Sequence, residues 1–235
     1  MNIIITGASR GIGYATAISF VKKLKDCKII LISRNLSKLH ELKNICEGIN
    51  SNCDVTPIAI DLHDFPPEKQ VLKNIKTIFN KVDILINNAG YLERKKFNEF
   101  DENSINKIFA VNFTGPARLI RALLPVFNWP SHVLNMGSMG GYQGSKKFPG
   151  LSFYSASKAA IACLTECLAE EYKETGISFN CLAIGAAQTE MLAEAFPGYN
   201  APITADEMAD FITDFAINGN KFFNGKIIPV SLSTP

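Results

Sequence analysis

Directly behind the apolar run Ile3-Ile4-Ile5 comes Thr6-Gly7-Ala8-Ser9-Arg10-Gly11-Ile12-Gly13, and behind that a helix-forming stretch from Tyr14 to about Lys25. The order reads as a buried strand, a glycine turn and a helix. Glycines at 7, 11 and 13 let backbone pass close to a phosphate. The helix start beyond them offers free N–H donors and partial positive charge. The spacing is not G-x-G-x-x-G, the commonest dinucleotide fingerprint. Alone, the trio is weak evidence and more often describes a tight strand-to-helix turn with close packing, so the rest of the chain has to decide.

Apolar runs of strand length follow at Lys28–Ser33, Thr56–Asp61, Asp83–Asn87, His132–Gly137, Ile177–Ile184 and Lys226–Val230. They are continuous rather than alternating, as expected of strands covered on both faces. Between them lie helix candidates at about 13–25, 37–48, 67–80, 101–124, 153–175 and 205–217, with Pro67 suited to a first turn and Gly176 to a helix end. This alternation predicts an α/β fold: a single-domain, doubly wound Rossmann-type sheet of about seven mainly parallel strands with helices on both faces. Ligands in such sheets bind beyond the carboxyl ends of the strands.

Composition excludes several alternatives. The net charge is +2 and no basic stripe suggests nucleic acid. No apolar run approaches the roughly 18 residues of a membrane span, and no signal peptide is visible, so a cytoplasmic protein is expected. Six cysteines (27, 46, 53, 163, 167 and 181) with no C-x-x-C pair fit a reducing compartment and small buried side chains rather than zinc.

Each expected strand end carries polar chemistry: the glycine loop, Ser33-Arg34, Asp61-Leu62, Asn87-Asn88-Ala89-Gly90, and Gly137-Ser138, with Tyr154 and Lys158 next in the chain. T-G-x-x-x-G-x-G, N-N-A-G, a serine and Y-x-x-x-K occur in that order, with Asn112 on a helix between the second and third. In these motifs the chain resembles a classical short-chain dehydrogenase/reductase over essentially its whole length.

Y-x-x-x-K occurs three times, at Tyr91/Lys95, Tyr142/Lys146 and Tyr154/Lys158. Residues four apart share a face only on a helix. The first pair spans a charged connection and the second lies among Gly140, Gly141 and Gly144. Only Tyr154 opens a helical, alanine-rich stretch that carries its lysine one turn on.

A free tyrosine has a pKa near 10, too high for ready proton exchange at neutral pH. An ammonium about 4 Å away is worth up to about 4 kcal/mol at an effective dielectric of about 20. That is roughly two to three pKa units toward the phenolate. The resemblance implies that Tyr154 gives a proton to a carbonyl oxygen as hydride arrives, and that Lys158 holds the nicotinamide ribose. It further implies that Ser138 bonds the substrate oxygen and Asn112 supports a water relay. The competing structural readings are Ser138 as a loop cap and Asn112 as a buried polar kink.

An acid about twenty residues past the glycine loop would take the adenosine ribose hydroxyls of NAD. The second strand instead ends Leu31-Ile32-Ser33-Arg34-Asn35. Arg34, with Arg10 in the loop, can grip a 2′-phosphate, which favours NADP(H) over NAD(H). The resemblance implies the remaining cofactor contacts: Gly7, Ser9, Gly11, Ile12, Gly13, Ser33, Asp61, Leu62, Asn88, Ala89, Gly90, Tyr154, Lys158, Gly185 and Thr189.

Two departures from the family pattern stand out. Ile184 precedes Gly185 where the family has proline, which could loosen the nicotinamide carboxamide pocket. The 16-residue step from Ser138 to Tyr154 is longer than usual and holds a glycine-rich loop from Gly140 to Gly150. The lid region, about Glu190 to Pro202, is short and apolar, and suits a modest substrate with one carbonyl. The expected activity is an NADPH-dependent carbonyl reductase or alcohol dehydrogenase; the alternative is a catalytically weak NADP-binding sensor or scaffold. The resemblance implies a homodimer across the helices at 101–124 and 153–175, or a homotetramer across the last strand, whose tail departs from the family pattern. No nucleic acid or membrane partner is expected.

Overall fold

The structure, a computed structural model, describes residues 1–232. Seven strands form one sheet: β1 (Asn2–Thr6), β2 (Cys27–Ser33), β3 (Cys53–Ala59), β4 (Val82–Asn87), β5 (Phe127–Met136), β6 (Ile177–Ile184) and β7 (Lys226–Val230). Their order is β3-β2-β1-β4-β5-β6-β7 and every neighbouring pair is parallel. The helices are α1 (Gly11–Lys23), α2 (Leu36–Ile49), α3 (Glu68–Lys76), α4 (Glu102–Phe109), α5 (Gly115–Leu123), α6 (Ser152–Glu171), α7 (Glu190–Ala195) and α8 (Ala205–Asn218).

The continuous apolar strands serve two cores. Ile3 and Ile5, Ile29 and Leu31, and Ile84 and Ile86 face one side, against Phe20, Leu39 and Ile212 of α1, α2 and α8. Ile4, Ile30, Ile32 and Leu85 face the other, against Ile75, Leu119 and Ile120 of α3 and α5. Period-two alternation sends neighbours to opposite faces, and both faces are covered. Each fully buried Ile or Leu contributes about 1.5–3 kcal/mol.

The 101–124 stretch is not one helix. A π turn at Ala110–Thr114 separates α4 from α5. The residue four beyond Asn112 is Pro116, which has no N–H to return to the Asn112 carbonyl. The ladder widens there, and Gly115 N–H bonds Ala110 O instead. α3 is shorter than the 67–80 stretch, with Pro67 at its N-cap. α6 runs into a 3-10 turn at Lys173–Thr175, and Gly176, at φ +70°, ends it.

The cysteines require a correction. Cys27 and Cys53 sit directly opposite in the β2–β3 ladder, Cα atoms 4.6 Å apart, and are joined as a disulfide. Cys46 and Cys181 are the small buried side chains expected, whereas Cys163 and Cys167 are exposed on α6. Among the described residues no helix is long and apolar enough to cross a membrane.

Candidate active site

Strand order reverses between β1 and β4, and a cavity of about 410 Å³ opens there beyond the strand ends. The glycine loop forms its floor. Gly7 has φ +69°, and a Cβ there would lie 2.7 Å from Ala89 Cα. A Cβ on Gly13 would lie 2.3 Å from Asn88 Nδ2 and 2.6 Å from Gly7 O. The second motif is stitched into this close approach. Asn88 Nδ2 donates to Thr6 O (3.0 Å) and Gly7 O (3.3 Å), and Ala89 N–H donates to Thr6 Oγ1 (3.0 Å). Beneath, Asn87 Nδ2 donates to Asn135 Oδ1 (2.8 Å) and Asn135 Nδ2 to Thr165 Oγ1 (2.9 Å), tying the middle of the sheet to α6.

Gly7, Ser9, Arg10, Gly11, Ile12, Ser33, Arg34, Asp61, Leu62, Asn88, Ala89, Gly90, Tyr154, Lys158 and Thr189 all line this cavity. Gly13 does not; it is the packing contact below the loop. Arg10 pairs with Glu194 of α7 at 3.1 Å, a bond between the glycine loop and the lid. Asp61 Oδ1 accepts from His63 N–H at 2.9 Å. Lys38, Tyr91, Lys107 and Met136 line the cavity too, and the motif reading missed them. For Lys38 a signal existed: it lies one helical turn beyond Arg34-Asn35.

A second cavity of about 130 Å³ adjoins the first, and Ile12, Tyr154, Ile184, Thr189 and Met191 face both. Ser138, Gly185, Leu92, Leu151, Leu192 and Phe196 add to its wall. The long loop does shape this pocket: Phe148 lines it and meets Phe196 edge-on at 6.4 Å. Arg94 clamps the lid from behind, donating to Ala195 O at 3.2 Å with its guanidinium 4.9 Å above the Phe196 ring. The turn after Ile184 is held without proline. Gly185 N–H bonds Val230 O at 2.8 Å, and Thr189 Oγ1 caps α7 through Leu192 N–H at 3.2 Å.

Tyr154 stands in the first turn of α6 where the cavities meet, and Lys158 follows one turn on. The expected ammonium–phenol arrangement differs. Lys158 Nζ donates to Met136 O at 2.7 Å and sits 5.9 Å from the centre of the Tyr154 ring. Burial raises the Tyr154 phenol above its ordinary value, with the neighbouring Ser138 hydroxyl working the other way. Burial also pulls the Lys158 ammonium down to about 8. Desolvation, not the lysine charge, dominates this phenol. Tyr154 therefore carries its proton at neutral pH.

Both structural readings of the smaller polar residues hold. Ser138 Oγ accepts from Gly140 N–H at 3.1 Å, capping the 3-10 turn Met139–Gly141. Asn112 sits at the helix break and lines neither cavity. Neither Tyr91/Lys95 nor Tyr142/Lys146 lies on an α-helix.

Sheet order and strand-end cavity define a Rossmann-type α/β protein. The pattern of the short chain dehydrogenase family matches residues 1–200, and the chain belongs to that family. It is 30% identical over 223 residues to an NADP-dependent 3-hydroxy acid dehydrogenase of Schizosaccharomyces pombe, spanning 89% of this chain and 84% of that one. A short chain dehydrogenase of Salmonella enterica serovar Typhi superposes with a TM-score of 0.89 at 25% identity, over 97% of this chain and 94% of that one. Another, from Burkholderia cenocepacia in complex with NADP, superposes at 0.86 with 21% identity, over 97% and 95%.

Proposed function

We propose that the chain is an NADPH-dependent reductase of small, uncharged ketones. The observation that carries this is the position of Tyr154, between a glycine-floored cavity of about 410 Å³ and an apolar one of about 130 Å³. The larger cavity fits a dinucleotide phosphate: backbone replaces side chains at Gly7 and Gly11, and Arg10 and Arg34 supply positive charge at one end. A bound nicotinamide supplies the hydride. Tyr154 gives its proton to the substrate oxygen, Ser138 donates a hydrogen bond to that same oxygen, and Lys158 steadies the ribose and the phenol. Asn112 acts from behind, by fixing the segment after Gly90.

The smaller cavity selects the substrate. Among the described residues its wall carries hydroxyls at Ser138, Tyr154 and Thr189 but no charged side chain. A carboxylate there would lose its hydration without gaining a cationic partner, a cost of several kcal/mol. The substrate is therefore a modest ketone whose oxygen meets the two anchors. This separates the chain from its fission-yeast relative, whose name specifies 3-hydroxy acids.

Fluorescence titration with NADPH and NADH, followed by NADPH consumption on matched ketones and 3-oxo acids, tests the reading. The expected result is tighter NADPH binding and turnover confined to the ketones. Equal binding of the two cofactors, or preference for the acid, would overturn the corresponding half.

A further inference from the structure

On its β2 side the larger cavity is lined by Arg10, Ser33, Arg34, Asn35 and Lys38. Lys38 occupies an unusual place. Asn35 is the N-cap of α2 and its side chain accepts from Lys38 N–H at 3.1 Å, so Lys38 is the third residue of the helix. Helices capped in this way favour Glu or Gln at that position, where the side chain reaches back to the cap, and favour negative charge throughout the first turn. α2 has no acidic residue in its first turn, and Arg34 stands just before its cap. Two cations thus crowd the positive end of the helix dipole. Among the described residues neither carries an ion pair, whereas Arg10 is already engaged by Glu194. A local helix rule is broken at a position that faces the cavity, the place where function overrides local stability.

We propose that Lys38 is a specificity-determining residue. Its ammonium binds a phosphate monoester on the 2′ oxygen of the adenosine ribose, beside Arg34, and contributes more to cofactor choice than Arg10. A phosphate must displace Glu194 from Arg10 and displaces no carboxylate from Lys38. The inference rests on the NADPH reading above.

Calorimetric titration of wild type, Lys38→Ala and Lys38→Glu with NADPH, NADH and 2′,5′-ADP tests it, together with thermal melting of the ligand-free proteins. Lys38→Ala is expected to weaken NADPH and 2′,5′-ADP about tenfold and to leave NADH within about twofold, the loss of one charge-assisted bond. Lys38→Glu is expected to weaken NADPH about a hundredfold or more. It should also raise the melting temperature by about 1–3 °C, because it completes the capping box. A wild type that prefers NADPH while both variants keep that preference overturns the role of Lys38 and leaves the cofactor reading standing. A wild type that binds NADPH and NADH equally overturns both. A Lys38→Glu protein that melts below wild type overturns the claim that this position is set against local stability.

Discussion

The Asn112 side chain closes a two-bond ring with the backbone of Tyr91: Oδ1 accepts from Tyr91 N–H at 2.7 Å and Nδ2 donates to Tyr91 O at 2.9 Å. The other Nδ2 proton goes to Ser157 Oγ at 3.0 Å. Both amide protons are spent inside the protein, so this side chain locks the connection after N-N-A-G to the π turn and to α6. Asn112→Ala should strip both Tyr91 backbone groups of their partners and cost about 2–3 kcal/mol. Thermal melting should fall by about 5–10 °C. A melting temperature within a degree of wild type would contradict a positioning role.

The depressed Lys158 ammonium sets a pH limit. Its folded pKa of about 8 lies below the ordinary lysine value, so the charge is present below pH 8 and lost above it. Ketone reduction at low substrate concentration should decline as pH rises through about 8. Lys158→Arg should push that decline to higher pH, since guanidinium keeps its charge. A wild-type profile flat to about pH 9.5 would count against it.

His132 is buried in β5, with Nδ1 3.0 Å from Ala216 O and Nε2 3.0 Å from Asn180 Nδ2. These partners require the neutral ring with its proton on Nδ1. Burial lowers its pKa to about 4. The unfolded chain binds this proton near pH 6.5 and the folded chain near 4. Stability from the neutral ring is therefore complete above pH 6.5 and declines as pH falls toward 4, by at most about 3 kcal/mol. Urea unfolding at pH 7 and pH 4.5 should show this decline in wild type and a smaller one in His132→Gln. Equal declines would assign the acid sensitivity elsewhere.

Two glycines should respond oppositely to alanine. Gly13→Ala pushes a methyl into Asn88 Nδ2 and Gly7 O and should destabilise the fold by about 2 kcal/mol or more. Gly48, exposed in α2 with nothing within 4 Å of an added Cβ, should gain about 0.5 kcal/mol as alanine. Denaturant unfolding of the two variants checks both signs.

The architecture was legible because parallel strands buried on both faces leave uninterrupted apolar runs. Ile177–Ile184 and Lys226–Val230 match β6 and β7 to the residue. β5 begins earlier than its apolar run, at Phe127, because Pro130 enters where the β4–β5 register shifts, a place a strand tolerates proline. The break between α4 and α5 was written in Gly115-Pro116, but the apolar period across it concealed the missing N–H. α7 is six residues long, too short for a periodic signal. Most cavity residues could be read because strand ends converge in a doubly wound sheet. Lys107 and Met136 could not, because helix placement and cavity shape bring them there and no motif holds them, whereas Lys38 was within reach from its place one turn beyond Arg34-Asn35. The Cys27–Cys53 pairing depends on β2–β3 register, which spacing in the chain does not encode.

The most direct test of the account is NADPH consumption on a panel of small ketones by wild type and Tyr154→Phe, with NADPH affinity measured in both. Wild type should turn over, the variant should lose about a thousandfold or more, and NADPH affinity should stay unchanged within about twofold. Equal turnover by the two proteins would remove Tyr154 from the chemistry and contradict the central claim.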